Sequence, residues 1–399
     1  MTTPWLTLIG LGEDGSFSTA ACTALETADI IYGSARHFEL VPALSGEKRL
    51  WPSPFSKVFD DLAALKGQSV AVLATGDPQW YGIGSSLARY FPSEEMVVFP
   101  APSAFQLAAA RLGWAVQETE CLSIHGRPVD LLRSLLYPGA RLLVLTSNGK
   151  APAQVGKILA GEGYSKSRLT VLEHLGGDKE RIIFKTADAW TEEVADFHTL
   201  AVEVIADPDT KVHSRVPGLA DDMFRHDGKM TKQEVRSVTL AALKPYPGAL
   251  LWDVGAGCGS VAIEWLRAAN RTKAIGLEPY ADRRQMAAEN AVALGVPHLD
   301  LRNANAPDGL RDLPEPDAIF IGGGLTADGM IETCLEALKA AGTLVANAVT
   351  LESEAVLLDA YRQHGGDLKR LSVQRASAVG GLTGWRPAMP VTQWSFTKS

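Results

Sequence analysis

Two acids and three glycines stand closest to chemistry in this sequence: Asp253 and Glu278, each closing a short apolar run, and Gly255, Gly257 and Gly259 between them. Only glycine takes positive φ without steric penalty, and its missing Cβ lets backbone approach a ligand. Leu250 to Ser260 therefore reads as a buried strand feeding a tight turn. Val261 to Asn270 predicts a helix that packs Val261, Ile263, Trp265 and Leu266 on the sheet. The glycine spacing bears on which nucleotide such a turn would take. A dinucleotide fingerprint is G-x-G-x-x-G with pyrophosphate at the helix N-terminus; here the run is G-x-G-x-G behind a carboxylate. That charge repels pyrophosphate and attracts the ammonium and sulfonium of S-adenosylmethionine (SAM). Glu278 suits a ribose diol, a feature SAM shares with NAD. The plain alternative is an ordinary glycine turn in an α/β domain.

The surrounding elements are those of a strand-helix alternation. Helices are expected at 283–294, 330–338 and 352–364, and strands at 274–277, 299–302, 317–321, 343–348, 371–376 and 391–396. With the strand before the glycine turn these make seven. Gly322, Gly323 and Gly324 end one strand and leave space above the sheet, and the segment Gly380 to Trp385 is placed to cover a site. Thr231-Lys232-Gln233-Glu234 reads as a capping box opening a helix over 232–243. This half resembles the class I, Rossmann-like methyltransferases: Asp253, Gly255, Gly257 and Gly259 match their first motif and Glu278 their second. The resemblance implies that Ala304 and Asn305, after the third strand, contact adenine, with Thr231 a further cofactor candidate.

Upstream, Leu6 to Ile9 runs into a second glycine loop, Gly10-Leu11-Gly12-Glu13-Asp14-Gly15, and Val70 to Ala74 runs into Gly76-Asp77-Pro78. Ligands in open α/β sheets gather at such carboxyl strand ends. Helices are expected at 18–28, 58–65, 105–112 and 155–162, among strands at 29–32, 97–99, 141–146, 169–172, 182–184 and 200–205, in two sheets or one large mixed one. The ordered set Gly10 and Gly12, Gly33 to His37, Gly76-Asp77-Pro78, Ser103-Ala104 and His125-Gly126-Arg127 resembles the tetrapyrrole methylase family, a separate SAM-dependent fold. Many members have Gly-x-Gly-Pro-Gly at the first loop, where this chain carries Glu13 and Asp14. The polar Asp207 to Lys211 reads as a linker. The expected organisation is 1–206 as a tetrapyrrole methylase domain of two α/β subdomains, 207–230 as linker and arm, and 231–399 as a seven-stranded Rossmann-like methyltransferase domain.

The 399 residues are 46% hydrophobic and 21% charged, with a net charge of −8 and both halves more acidic than basic. Length allows two or three domains, and bulk charge argues against nucleic-acid binding. Cys22, Cys121, Cys258 and Cys334 are scattered without metal-ligand spacing, so reduced thiols and no metal site are expected. The start, Met1 to Trp5, lacks the charged and apolar regions of a secretory leader, and no apolar run reaches a membrane span, so a cytoplasmic protein is expected.

Two methyltransferase halves in this order, with the arm Pro217 to Phe224 and the tail Val379 to Thr383, resemble the decarboxylating precorrin methyltransferase family of cobalamin biosynthesis over essentially the whole length. The resemblance implies methylation of the macrocycle at C-5 by the first domain and at C-15 by the second, loss of carbon dioxide from the ring C acetate, one SAM per domain, and a homo-oligomer. An electron-rich ring carbon can attack a sulfonium methyl directly, so alignment and dryness matter more than an activated nucleophile. No catalytic acid or base is identified by sequence. Cationic side chains should hold the peripheral carboxylates: Arg36, His37, His125 and Arg127 in the first half, Arg215, Arg225, Arg375 and Arg386 in the second, with Gly323 giving room. Alternatives are a fusion acting on RNA, a regulatory SAM-binding protein and an NAD-dependent oxidoreductase.

Overall fold

The computed structural model describes residues 4–41 and 44–399; Met1 to Thr3, at the start of the expected first domain, and Pro42 and Ala43 lie outside the described residues. The chain divides into two compact units, Met1–Val129 with Tyr137–Lys211, and Asp130–Leu136 with Val212–Ser399.

The first unit holds two five-stranded sheets. One is wholly parallel, in the spatial order Glu47–Leu50, Ile30–Gly33, Val70–Thr75, Leu6–Leu11, Met96–Phe99. Its central strands are uninterrupted apolar runs because both faces are covered: Leu6, Leu8 and Val72 face one core, Ile9, Ala71 and Leu73 the other. The second sheet is mixed, ordered Glu120–Ser123, Arg141–Leu145, His198–Glu203, Arg168–Glu173, Arg181–Thr186, with only the first pair parallel. Glu47–Leu50 escapes the apolar pattern because it is a polar edge strand. Gly33 to His37 is not a loop throughout: Ser34 caps a helix, Ala35–Leu40, that carries Arg36 and His37.

The second unit is built on a seven-stranded sheet ordered Asp300–Arg302, Lys273–Leu277, Leu250–Val254, Ala318–Ile321, Thr343–Ala348, Val391–Thr397, Asp367–Leu371. The last two strands join antiparallel and the rest run parallel. Successive residues alternate between two cores: Leu251 and Phe320 pack with Val261, Ile263, Trp265 and Leu266 of the helix Ser260–Ala268, while Trp252 and Ile319 pack with Met330 and Leu357 on the opposite face. The closing strand differs from the expectation at 371–376. Asp367–Leu371 pairs in the sheet, whereas Gln374–Val379 turns back onto Leu382–Pro387 as a separate hairpin. Gly380-Gly381 between two apolar residues is a hairpin turn signal, and Gly380 takes φ +58°. Among the described residues no helix is long and apolar enough to cross a membrane, and no group of three or more His, Cys, Asp or Glu is placed to hold a metal ion.

Candidate functional site

The glycine turn of the second unit opens on a cavity of about 850 Å³. Gly255, Gly257 and Gly259 all have positive φ, at +74°, +58° and +80°. A Cβ on Gly255 would lie 2.8 Å from the Gly323 nitrogen, so two strand-end loops meet where no side chain fits. A Cβ on Gly257 would be in ordinary contact with the Lys229 oxygen at 3.7 Å, so its positive φ, not crowding, is what favours glycine there. Its backbone faces the cavity bare.

Both acids are buried at this floor, Asp253 at 1% and Glu278 at 2% exposure. Glu278 accepts from the Gly257 nitrogen (2.9 Å) and the Tyr280 nitrogen (3.0 Å), and so holds the glycine turn against the next strand. Asp253 Oδ2 accepts from the Ala262 nitrogen at 3.0 Å, at the amino end of the following helix, while Oδ1 has no partner. Burial pushes the Asp253 carboxyl up to about 7, the Ala262 hydrogen bond opposes this, and the Glu278 charge adds to it. A buried acceptor without a donor is costly. Asp253 is among the residues that line the cavity, where the positive charge of a ligand would offset its burial.

Ala304, Asn305, Thr231, Gly323 and Arg375 line the same cavity. The capping box does not form. Lys232 occupies the cap position of the helix Gln233–Leu243 without a side-chain hydrogen bond, and Glu234 is drawn instead to Arg375, 2.5 Å away. Arg386 faces Arg375 across the hairpin, exposed and outside the lining. Arg215 and Arg225 are also outside it, against the expectation for both. Arg215 donates to the Arg267 carbonyl (3.1 Å) and to Asn270 Oδ1 (2.7 Å), and Arg225 pairs with Glu289. Arg225 is thus matched by a local carboxylate, and Arg215 is held by two neutral acceptors.

Sequence reasoning overlooked Arg236 and Glu264, which position the arm leading into the site. Arg236 is fully buried and donates through Nε to Glu264 (2.6 Å), and through its other nitrogens to the Leu219 carbonyl, the Thr231 carbonyl (2.7 Å) and Asp221 (3.1 Å). Glu264 also accepts from the Gly218 and Leu219 nitrogens at 2.6 and 3.1 Å. The signal was a carboxylate inside the apolar run Val261 to Leu266, since a buried charge is paired.

In the first unit the glycines mark backbone crossings. A Cβ on Gly10 would stand 2.1 Å from the Gly76 oxygen and 2.6 Å from the Ala101 nitrogen, so three strand ends converge there. Gly12 lies under Asp14, which folds back to accept from the Ser16 nitrogen, and Asp77 closes its own turn by accepting from the Gln79 nitrogen at 2.8 Å. Ser103 and Gln106 cap the helix that begins at Ala104 reciprocally. His125 Nδ1 is 3.0 Å from the Thr146 carbonyl, and the Arg127 guanidinium is 5.6 Å from the centre of the Tyr81 ring.

His37 does not fit the role of a cation. Burial, then the neighbouring Arg36 charge, lowers it to about 4 against the opposing pull of Glu13. Its Nδ1 accepts from the Ser34 nitrogen and its Nε2 reaches Thr75 Oγ1 at 3.0 Å, the arrangement of a neutral ring. Arg36 pairs with Glu13, whose other oxygen is 3.3 Å from His174 Nδ1. Glu13 thus has a definite role that the loop sequence alone did not reveal.

A mostly parallel seven-stranded sheet with a glycine turn, two acids at adjacent strand ends and an open cavity above them defines a SAM-dependent methyltransferase, here joined to a second α/β unit. Residues 222–398 match the precorrin methyltransferase domain family and residues 6–190 the tetrapyrrole (corrin/porphyrin) methylases. Over 402 residues the chain is 47% identical to a precorrin-6Y C(5,15)-methyltransferase (decarboxylating) of Sinorhizobium sp., covering 100% of this chain and 97% of that one. It is 29% identical over 202 residues to a cobalt-precorrin-7 C(5)-methyltransferase of Salmonella typhimurium, covering 50% of this chain and 98% of the relative. It is 35% identical over 182 residues to a probable cobalt-precorrin-6B C(15)-methyltransferase (decarboxylating) of Pyrobaculum calidifontis, covering 44% and 93%. The chain belongs to the decarboxylating precorrin-6Y C(5,15)-methyltransferase family, whose members use SAM.

Proposed function

We propose that this chain methylates a precorrin at C-5 through residues 1–206 and at C-15 through residues 231–399, and removes the carboxyl of the ring C acetate as carbon dioxide, with one SAM held by each domain. The observation that carries the reading is Asp253, buried with its Oδ1 unpartnered, among the residues that line the glycine-floored cavity. That residue set fits a ligand with an ammonium and a sulfonium. Relatives that are each about half the length of this chain, one a C(5)- and one a C(15)-methyltransferase, support dividing the two positions between the halves.

When bound, SAM supplies an electrophilic methyl group. Asp253 would hold its cationic end, Glu278 its ribose, and Ala304 and Asn305 its adenine, with Thr231 beside the methionine portion. In the first domain Gly10, Gly12, Gly76, Asp77, Ser103 and Ala104 would form the corresponding seat. The ring carbon provides the electron pair for the new carbon–carbon bond, and the methyl–sulfur bond would break with its pair left on the neutral thioether, so the protein's part is to align the two centres and keep water out. Gly323 leaves room for the macrocycle at the second site. Arg375 supplies the cation there, and Arg36, His125 and Arg127 supply polar contacts in the first domain. In the decarboxylation the acetate C–C bond breaks, its electron pair enters the conjugated ring system, and the remaining carbon takes up a proton. The enzyme acts in the cytoplasm as a homo-oligomer on a small molecule, without nucleic acid or membrane.

The test is product analysis with isotopically labelled SAM and the precorrin substrate. The parent should add two methyl groups and release carbon dioxide, and an Asp253→Ala, Glu278→Ala variant should add one methyl, at C-5, with the carboxyl retained. A variant that still methylates C-15, or loses C-5 methylation alone, overturns the division.

A further inference from the structure

The cluster around Glu13 borders the proposed cofactor seat of the first unit, Glu13 following Gly12 and Thr75 preceding Gly76, but uses none of its residues. Arg36 pairs through Nη1 with one Glu13 oxygen, donates through Nη2 to Thr75 Oγ1 (2.6 Å), and rests 4.3 Å above the centre of the Phe197 ring. His174 Nδ1 meets the other oxygen at 3.3 Å. His174 has φ +46°, a left-handed backbone that residues with a Cβ rarely adopt. Two backbone hydrogen bonds hold it there, its own nitrogen to the Phe197 carbonyl (3.2 Å) and the Gly177 nitrogen to its carbonyl (3.0 Å). A Cβ on Gly177 would lie 2.5 Å from Glu13 Cγ, so only glycine clears the path of that side chain.

One guanidinium nitrogen of Arg36 and the His174 imidazole thus converge on the two oxygens of one carboxylate, while Thr75 and the Phe197 ring hold the rest of the guanidinium. Strain is stored in the residue that aims the imidazole. The Arg36 and His174 side chains are 32% and 27% exposed, while the Glu13 side chain they hold is 13% exposed. The donors are reachable from solvent around the acid that fills them.

We propose that this cluster is a carboxylate subsite for the substrate of the first unit, and that Glu13 is an internal stand-in displaced by a peripheral acetate or propionate of the macrocycle. The inference rests on the reading that residues 1–206 methylate a precorrin. Exchange of one carboxylate for another conserves the ion pair and breaks no covalent bond. It also makes binding selective, because a ring without a carboxylate at that edge leaves Glu13 in place. Glu13 is a positioning and specificity residue here; it takes no part in methyl transfer.

The experiment is steady-state C-5 methylation by the full chain. Glu13→Gln keeps the shape and removes the charge, so KM for the tetrapyrrole should fall about three- to fivefold, the scale of a partly exposed ion pair, with kcat and KM for SAM unchanged. The gain should vanish on an Arg36→Met background. Glu39→Gln, an exposed residue on the same helix as Arg36, makes the same charge change and should leave KM unaltered. If Glu13→Gln folds poorly, Glu13→Ala gives the same reading. An unchanged or raised tetrapyrrole KM makes Glu13 a structural clamp and overturns the inference. An equal fall in Glu39→Gln reports a general field, and a shift in the KM for SAM assigns the cluster to the cofactor; either overturns it. A parent that adds no methyl at C-5 overturns the assignment of the first unit as well, whereas C-5 methylation indifferent to Glu13 overturns the inference alone.

Discussion

Replacing Asp253 by asparagine separates what the buried carboxyl costs the ligand-free protein from what it does for the cofactor. Folding raises this carboxyl from 3.8 to about 7, with burial the largest cause. Between those values the native state keeps its proton while the unfolded chain has released it. Stability is therefore full below the unfolded value and is lost as pH rises toward 7. At ~1.4 kcal/mol per pH unit, the loss between about pH 5 and pH 8 is roughly 3 kcal/mol. The asparagine side chain can still accept from the Ala262 nitrogen, and it does not ionise. Its amide introduces an unpaired donor worth about 1–3 kcal/mol, a cost that is the same at every pH. From pH 5 to pH 8 the variant should thus gain about 3 kcal/mol on the parent. Cys258 and Cys334 are both buried in this unit, so pulsed maleimide labelling across a urea series, read by mass spectrometry, follows its unfolding separately from the first unit. SAM affinity at the second site should fall at least about tenfold at pH 8, in line with losing a charged hydrogen-bond partner. A stability difference that does not change with pH would refute the reasoning, because it would mean that the ligand-free carboxyl is already satisfied as an anion.

Three further outcomes are expected. Gly323→Val should keep the fold, since a Cβ there meets nothing nearer than Gly255 Cα at 3.7 Å, and should cut C-15 methylation at least about tenfold by filling the space above the sheet, with C-5 methylation unchanged in product analysis. Arg236→Met leaves the Glu264 carboxylate buried without its cation and should cost about 3–5 kcal/mol in the same labelling assay while loosening the arm that carries Thr231. His37 is held neutral, near 4 against an ordinary 6.5, so its contribution to stability is full above 6.5 and is lost as pH falls toward 4. His37→Gln should flatten the acid limb of the thermal melting profile of the full chain.

The parallel cores are readable in the sequence because both faces of their strands are covered, so that Val70 to Ala74 is apolar throughout and Leu250 to Val254 is apolar but for Asp253, the acid of the site. The glycine turn was equally legible, since three positive φ values within five residues leave little choice of residue type. Polar edges were not. Glu47–Leu50 and Asp367–Leu371 have no buried residue to set a period, and the hairpin 374–387 was absorbed into the sheet despite its Gly-Gly turn. Arginines were the least legible of all. A guanidinium that lines the cavity, as that of Arg375 does, looks the same in sequence as one that closes a helix end, as Arg215 does. Only the position of the partner distinguishes them. The Thr231 cap failed for a similar reason, because Arg375, 141 residues away, competes for Glu234 and wins.

The central claim is that two independent methyltransferase sites share one chain, and SAM binding by calorimetry measures it most directly. The intact protein should bind two equivalents, and the Asp253→Ala, Glu278→Ala variant should bind one with the affinity of the remaining site unchanged. A single equivalent in the parent, abolished in the variant, would contradict the account: the first glycine loop would then hold no cofactor, and both methylations would have to be made in the cavity above Gly257.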